Sequence, residues 1–135
     1  MGSQQLLIIA IAAVVLAVAV AVGVTMFRDQ AASSNRDELS MDLSQFAVRA
    51  QAYYRRPTTL GGGGGSFGGL QMQNLTSRTT NLNGSYSLDP SPVPNSASFV
   101  KIMGIGTEAA DDGLPVKVVM KVYADSMFTV DAEGH

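Results

Sequence analysis

Side chains able to make and break bonds are scarce in this sequence. The single histidine stands at position 135, and cysteine and tryptophan are absent. A catalytic dyad or a zinc site therefore has almost nothing to draw on, and there is no disulfide framework. Asp111 and Asp112, near Glu108 and beside Gly113, form the richest oxygen cluster, and calcium takes such ligands. Their spacing matches no EF-hand, so a solvated loop is the preferred reading. The glycine run 61–65, continued by Ser66-Phe67-Gly68-Gly69, invites comparison with a phosphate-cradling loop. No Lys-Ser or Lys-Thr follows it and no strand-loop-helix context surrounds it, so it reads as a connector, either flexible or tightly packed. Asn74-Leu75-Thr76 and Asn83-Gly84-Ser85 fit the N-glycosylation acceptor pattern. That motif is short enough to arise by chance, although Ser and Thr are plentiful over 76–98. The expectation is a protein with no enzymatic activity and no cofactor.

The totals point the same way. At 135 residues the chain has room for one ordinary domain and an appendage. A net charge of -2 and a pI near 5.1 argue against a phosphate-backbone partner, which needs clustered basic surface. Hydrophobic residues make up 46% and charged ones only 15%, and most of that imbalance comes from one segment.

Residues 6–27 (LLIIAIAAVVLAVAVAVGVTMF) carry no ionisable side chain. As a helix they span about 33 Å, enough to cross a bilayer core of about 30 Å. The segment is apolar all round, so it belongs in lipid or inside an assembly. Its many alanines and Gly23 keep it slim enough for close helix–helix approach. Three readings follow. A cleaved secretory signal has small-x-small sites such as Ala17-Val18-Ala19 but lacks a basic n-region. A plain single-span anchor has no clear orientation signal, since Arg28 is followed by Asp29. The third is a polymerising helix.

Beyond it, Leu39, Leu43, Phe46, Ala50 and Tyr53 recur at spacings of four, three, four and three, which is one stripe of an amphipathic helix. Asp37, Glu38, Asp42, Arg49 and Gln51 lie mostly off it. Residues 29–36 read as a continuous helix or as a joint. In the second case Asn35 and Glu38 make an N-cap pair for a new helix. Arg55 and Arg56 suit a helix C-terminus, and Pro57 disfavours helix just before it.

With Met1 placed first, the run Gln5-Leu6-Leu7-Ile8-Ile9-Ala10-Ile11-Ala12 resembles the start of a mature type IV pilin. Members of that family typically begin with Phe or Met, carry Glu at the fifth position and continue with Leu and Ile. Here Gln5 replaces the carboxylate. The similarity covers the first third of the chain. It implies either that residue 1 is a processed end or that the chain stands on a branch without the family's basic leader. It also implies that Met1, Gln4, Gln5, Leu6, Val15, Val18 and Val22 serve assembly, with the fifth position pairing with a neighbour's N-terminal amine. Some secretion pseudopilins hold calcium in their heads, which is the family parallel for Asp111 and Asp112.

The rest reads as strands. Val116, Val118, Met120 and Val122 alternate with Lys117, Val119, Lys121 and Tyr123, a half-buried strand. Ala124-Asp125-Ser126 makes a turn into a strand over 127–131. Residues 98–105 are apolar on both faces and suit a central strand, while 70–75 is a weaker candidate. Around Leu82, Tyr86 and Leu88 alternation favours one strand, whereas Asn83-Gly84 favours a hairpin turn. Pro90, Pro92 and Pro94 mark a loop. Met41, Met72, Met103 and Met120 read as core filler.

The expected fold is α+β: a long N-terminal helix, then a small antiparallel sheet of about four strands covered by the Leu39–Tyr53 stripe. Its divisions are an apolar helix (1–27), an amphipathic continuation (28–56), a Gly-rich connector (57–69) and a sheet head (70–135). The resemblance implies a subunit held in the cytoplasmic or inner membrane before assembly and then built into an extracellular filament. Its partners would be copies of itself, the membrane and the pilus assembly machinery, with no nucleic acid. A secretion-system pseudopilin, or a membrane-anchored small β-domain that binds an outside ligand, is the alternative.

Overall fold

The structure, a computed structural model, describes residues 2–89, 91–109 and 113–133, the last three as backbone. Met1, Asp111, Asp112 and His135 lie outside the described residues. Helix α1 runs unbroken over Gly2–Arg55, 54 residues, about 81 Å at 1.5 Å per residue. Its sequence holds no proline, and Gly23 is its one interior glycine, so nothing in it forces a break. The N-cap pair weighed at Asn35 and Glu38 does not form, because the helix passes straight through both.

A four-stranded antiparallel meander follows: β1 (Gly84–Asp89), β2 (Phe99–Ala109), β3 (Pro115–Tyr123) and β4 (Met127–Glu133), in the order β1-β2-β3-β4. The fold is α+β, a long apolar-to-amphipathic helix followed by a small antiparallel sheet. Tyr86 pairs with Gly104 and Leu88 with Ile102, while Ile102 in turn pairs with Met120 and Val100 with Val122. These registers put Tyr86, Leu88, Val100, Ile102, Val118, Met120 and Val122 on one face. All are buried against α1, whose Leu39, Leu43, Phe46, Ala47, Ala50 and Tyr53 fill the other side of the core. The helix lies across the two middle strands, as an apolar sheet face without a second sheet requires.

Residues 70–75 are not a strand. Met72–Leu75 forms a short helix, α2, in which Asn74 Oδ1 accepts the Gln71 N–H at 2.9 Å. Met72 and Leu75 are both buried, at the three-residue spacing of a helix rather than the two of a strand. At Asn83-Gly84 both sequence signals contribute. Asn81 N–H donates to Gly84 O, Thr80 bridges Ser85, and β1 begins at Gly84 itself.

The glycine run is tightly packed. Gly63 N–H donates to Tyr53 O at 2.8 Å, Gly64 to Arg56 O at 2.9 Å and Gly65 to Tyr54 O at 2.8 Å. The loop thus folds back over the end of α1 and satisfies carbonyls that a helix terminus leaves unpaired. A Cβ on Gly63 would fall 1.8 Å from Ser66 O, so no other residue fits this path. Phe67, fully buried, pins the loop against Tyr54 with ring centroids 4.9 Å apart.

Candidate assembly site

Among the described residues, no side chain in the first half of α1 is buried against the head. Every large apolar side chain from Leu6 to Phe27, including Val15, Val18 and Val22, is 47–76% exposed, and burial begins only at Ala32. The helix is long and apolar enough to cross a membrane, which is compatible with membrane anchoring. Isolated apolar residues on a surface are ordinary, but a continuous column of this length is not. Gln4 and Gln5 stand exposed on the same projecting segment.

What holds this column upright is a polar lock at the root of the head. Asn35 is buried and uses both ends of its amide. Its Nδ2 donates to Asn83 O at 2.8 Å, and its Oδ1 accepts from the N–H groups of Thr107 and Glu108 at 3.1 and 3.3 Å. The close approach needs Gly106, where a Cβ would lie 2.0 Å from Asn35 Oδ1. About two turns further on, Asp42 Oδ2 accepts from the Tyr86 hydroxyl, from Asn83 Nδ2 at 3.0 Å and from Asn81 Nδ2 at 3.1 Å. Burial acts to raise the Asp42 carboxyl. The bonds from Tyr86, Asn83 and Asn81 outweigh it and hold the group below the usual carboxylate range. Burial and the bond to Asp42 push the Tyr86 phenol well above its ordinary value.

Further tethers run to the far end. Gln51 Nε2 donates to Tyr123 O at 3.0 Å, Arg49 to Leu75 O at 2.5 Å and Arg55 to Ala124 O at 3.1 Å. Together with the stripe they tie the lower helix to the head along its length, and the column continues from it in the same unbroken helix. Asn35 and Asp42 were missed as anchors from sequence, since their partners are 39 to 73 residues away. The one available signal was polar side chains flanking an otherwise apolar stripe.

Of the residues singled out from sequence, Leu39, Leu43, Phe46, Ala50 and Tyr53 come together in the core. Of the residues marked for assembly, Gln4, Gln5, Leu6, Val15, Val18 and Val22 are exposed and outside the core of the head, and Met1 lies outside the described residues. Asn74 is exposed, though its oxygen caps α2, and Asn83 has its amide nitrogen committed to Asp42. Met72 and Met120 are core residues, whereas Met103 is half-buried and Met41 is 65% exposed, so Met41 does not fill the core. The described residues contain no cluster of His, Cys, Asp and Glu able to hold a metal ion.

The outer sheet face differs from the inner. Lys121 Nζ lies 4.2 Å from the Phe99 ring centre and 5.2 Å from that of Tyr123, and Phe128 stacks on Tyr123 at 6.0 Å. Comparison with protein-family models, with curated proteins and with solved structures gives no match.

Proposed function

We propose that this protein is the structural subunit of an extracellular filament of the type IV pilin kind, without enzymatic activity. The observation that supports this most is the exposed apolar column of α1, continuous with a helix packed into a head whose core does not need the column. In water such a column is untenable, and burying it is worth about 25 cal/mol per Å² of apolar area. Subunits would wait with the column in the membrane. They would then exchange lipid for sister helices, close packing supplying the difference. An ordinary anchor needs no rigid continuation into the head, whereas a filament does, because the head's position must repeat from copy to copy.

Val15→Asp and Val18→Asp test this. Each puts a charge without a partner into the proposed filament core and is far from every buried residue of the head. Loss of sheared fibres is expected, with the head still folded by circular dichroism. Normal fibres from these variants would overturn the reading.

The outer patch of Phe99, Lys121, Tyr123 and Phe128 favours a second reading, a membrane-anchored module that binds an outside ligand on this face. Unassembled wild-type protein in the membrane, with ligand binding lost in Lys121→Ala, would favour that alternative.

A further inference from the structure

Beyond residue 31 the buried positions Ala32, Leu39, Leu43, Phe46, Ala50 and Tyr53 define the inward side of α1. At 100° per residue, the opposite side carries Asp37, Met41, Val48, Ala52 and Arg55, with Gly23 in line above them. This back should be thoroughly polar if it faced water. Instead Met41 is 65% and Val48 57% exposed. The charges here are also sorted. Asp37 and Glu38 are exposed near the middle, Arg55 and Arg56 are exposed at the end, and Arg55 gives one of its bonds to Ala124 O. Each acid precedes its basic counterpart by the same interval, five helical turns or about 27 Å. That is well over the Debye length of about 8–10 Å, so the two groups cannot neutralise each other within one chain. Gly23 and Met41 are separated by the same five turns. A Cβ on Gly23 would meet nothing within 4 Å, so its chain makes no use of the gap. A mainly apolar groove over Val20, Gly23, Val24 and Phe27, bordered by the charged Arg28 and Glu108, opens beside it.

We infer that two copies of this chain pack with the backs of their α1 helices parallel and displaced by five turns, about 27 Å. One displacement then sets Arg55 and Arg56 of one copy against Asp37 and Glu38 of the other. The same displacement seats Met41 of the first against Gly23 of the second, between Val20 and Phe27. The glycine gives the thioether room, and the charge pairs, lying at the edge of an apolar contact, set the register. An antiparallel pair also brings acids to bases. It puts Met41 beside Ala52 instead of Gly23, and it points the two apolar columns in opposite directions. This inference rests on the filament reading and adds its axial register.

The chain has no cysteine, so introduced ones report without background. Full-length protein carrying Gly23→Cys and Met41→Cys is assembled, sheared from the surface and oxidised. A covalent ladder on a non-reducing gel is expected, because each copy links to one on either side. Gly23→Cys with Val48→Cys, seven residues out of register, should give monomers only. In parallel, Asp37→Arg with Glu38→Arg should cut fibre yield several-fold, as should Arg55→Glu with Arg56→Glu. All four changes together should restore it. Intact fibres without the 23–41 ladder would overturn the register and leave the filament standing. Cross-linking of Met41→Cys to Ala52→Cys without the 23–41 ladder would show the antiparallel pair and overturn the inference. No fibres from the unaltered chain would remove the filament reading, and the register with it.

Discussion

Asp42 on α1 accepts a hydrogen bond from the hydroxyl of Tyr86 on β1, and Asn81 and Asn83 of the preceding turn donate to the same oxygen. Helix, turn and sheet thus meet at one carboxylate. The ring of Tyr86 also packs edge-on against Phe46, centroids 4.9 Å apart, so the polar lock and the apolar core share a residue.

The lock makes stability depend on pH. The folded Asp42 carboxyl lies below its unfolded value of about 3.9. Its contribution is therefore present above that value and is lost as pH falls through the lower, folded one. Tyr86 is shifted upward, so its contribution holds below about 10 and is lost as pH rises past its raised value. Melting curves across pH should show Asp42→Asn flattening the acid side of the profile and Tyr86→Phe flattening the alkaline side. An acid limb unchanged in Asp42→Asn would place the carboxylate outside the lock.

The apolar side of the same junction is tested by Phe46→Ala. A fragment starting at residue 29 retains every buried residue, since burial begins at Ala32. Truncating an aromatic this deep costs about 3–5 kcal/mol. Urea unfolding of the fragment should show a loss of that size, and an unchanged midpoint would mean that Phe46 does not pack on the sheet.

Much of this junction was legible in the sequence, and the reasons are local. The stripe from Leu39 to Tyr53 and the alternation from Val116 to Val122 each repeat at the period of their own element, and a period shows without knowing the partner. Asn35 and Asp42 were not legible as anchors, because a polar residue on a helix looks the same whether its partner is water or a distant carbonyl. The Gly63–Gly65 cap was hidden for a related reason: glycine runs have one composition whether they wander or fold back. Met41 misled because methionine is commonest in cores, and only the helix's rotation on the sheet turns it outward. The apolar column itself was plain, but the sequence was silent on how rigidly the head would hold it.

At the tip of that column, Gln5 stands where the pilin resemblance expects a carboxylate. Gln keeps the length and an accepting oxygen but gives up the charge. A buried N-terminal amine near it would need neutralising by Ser3, Gln4 and Gln5, by deprotonation or by a covalent cap. Hydrogen bonding of Gln4 or Gln5 within or between subunits is expected, and Gln5→Glu should assemble normally. Fibre yield after shearing measures this. Assembly blocked by Gln5→Glu but not by Gln5→Leu would show that position 5 does not act as the family's glutamate does.

Electron microscopy of material sheared from the surface of cells making the unaltered chain bears most directly on the filament itself. Regular fibres of one diameter are expected, with this chain as the main protein and, on reconstruction, residues 6–27 packed together along the axis and the sheets outside. Fibre-free shear fractions, with the chain left in the membrane as single copies, would contradict it.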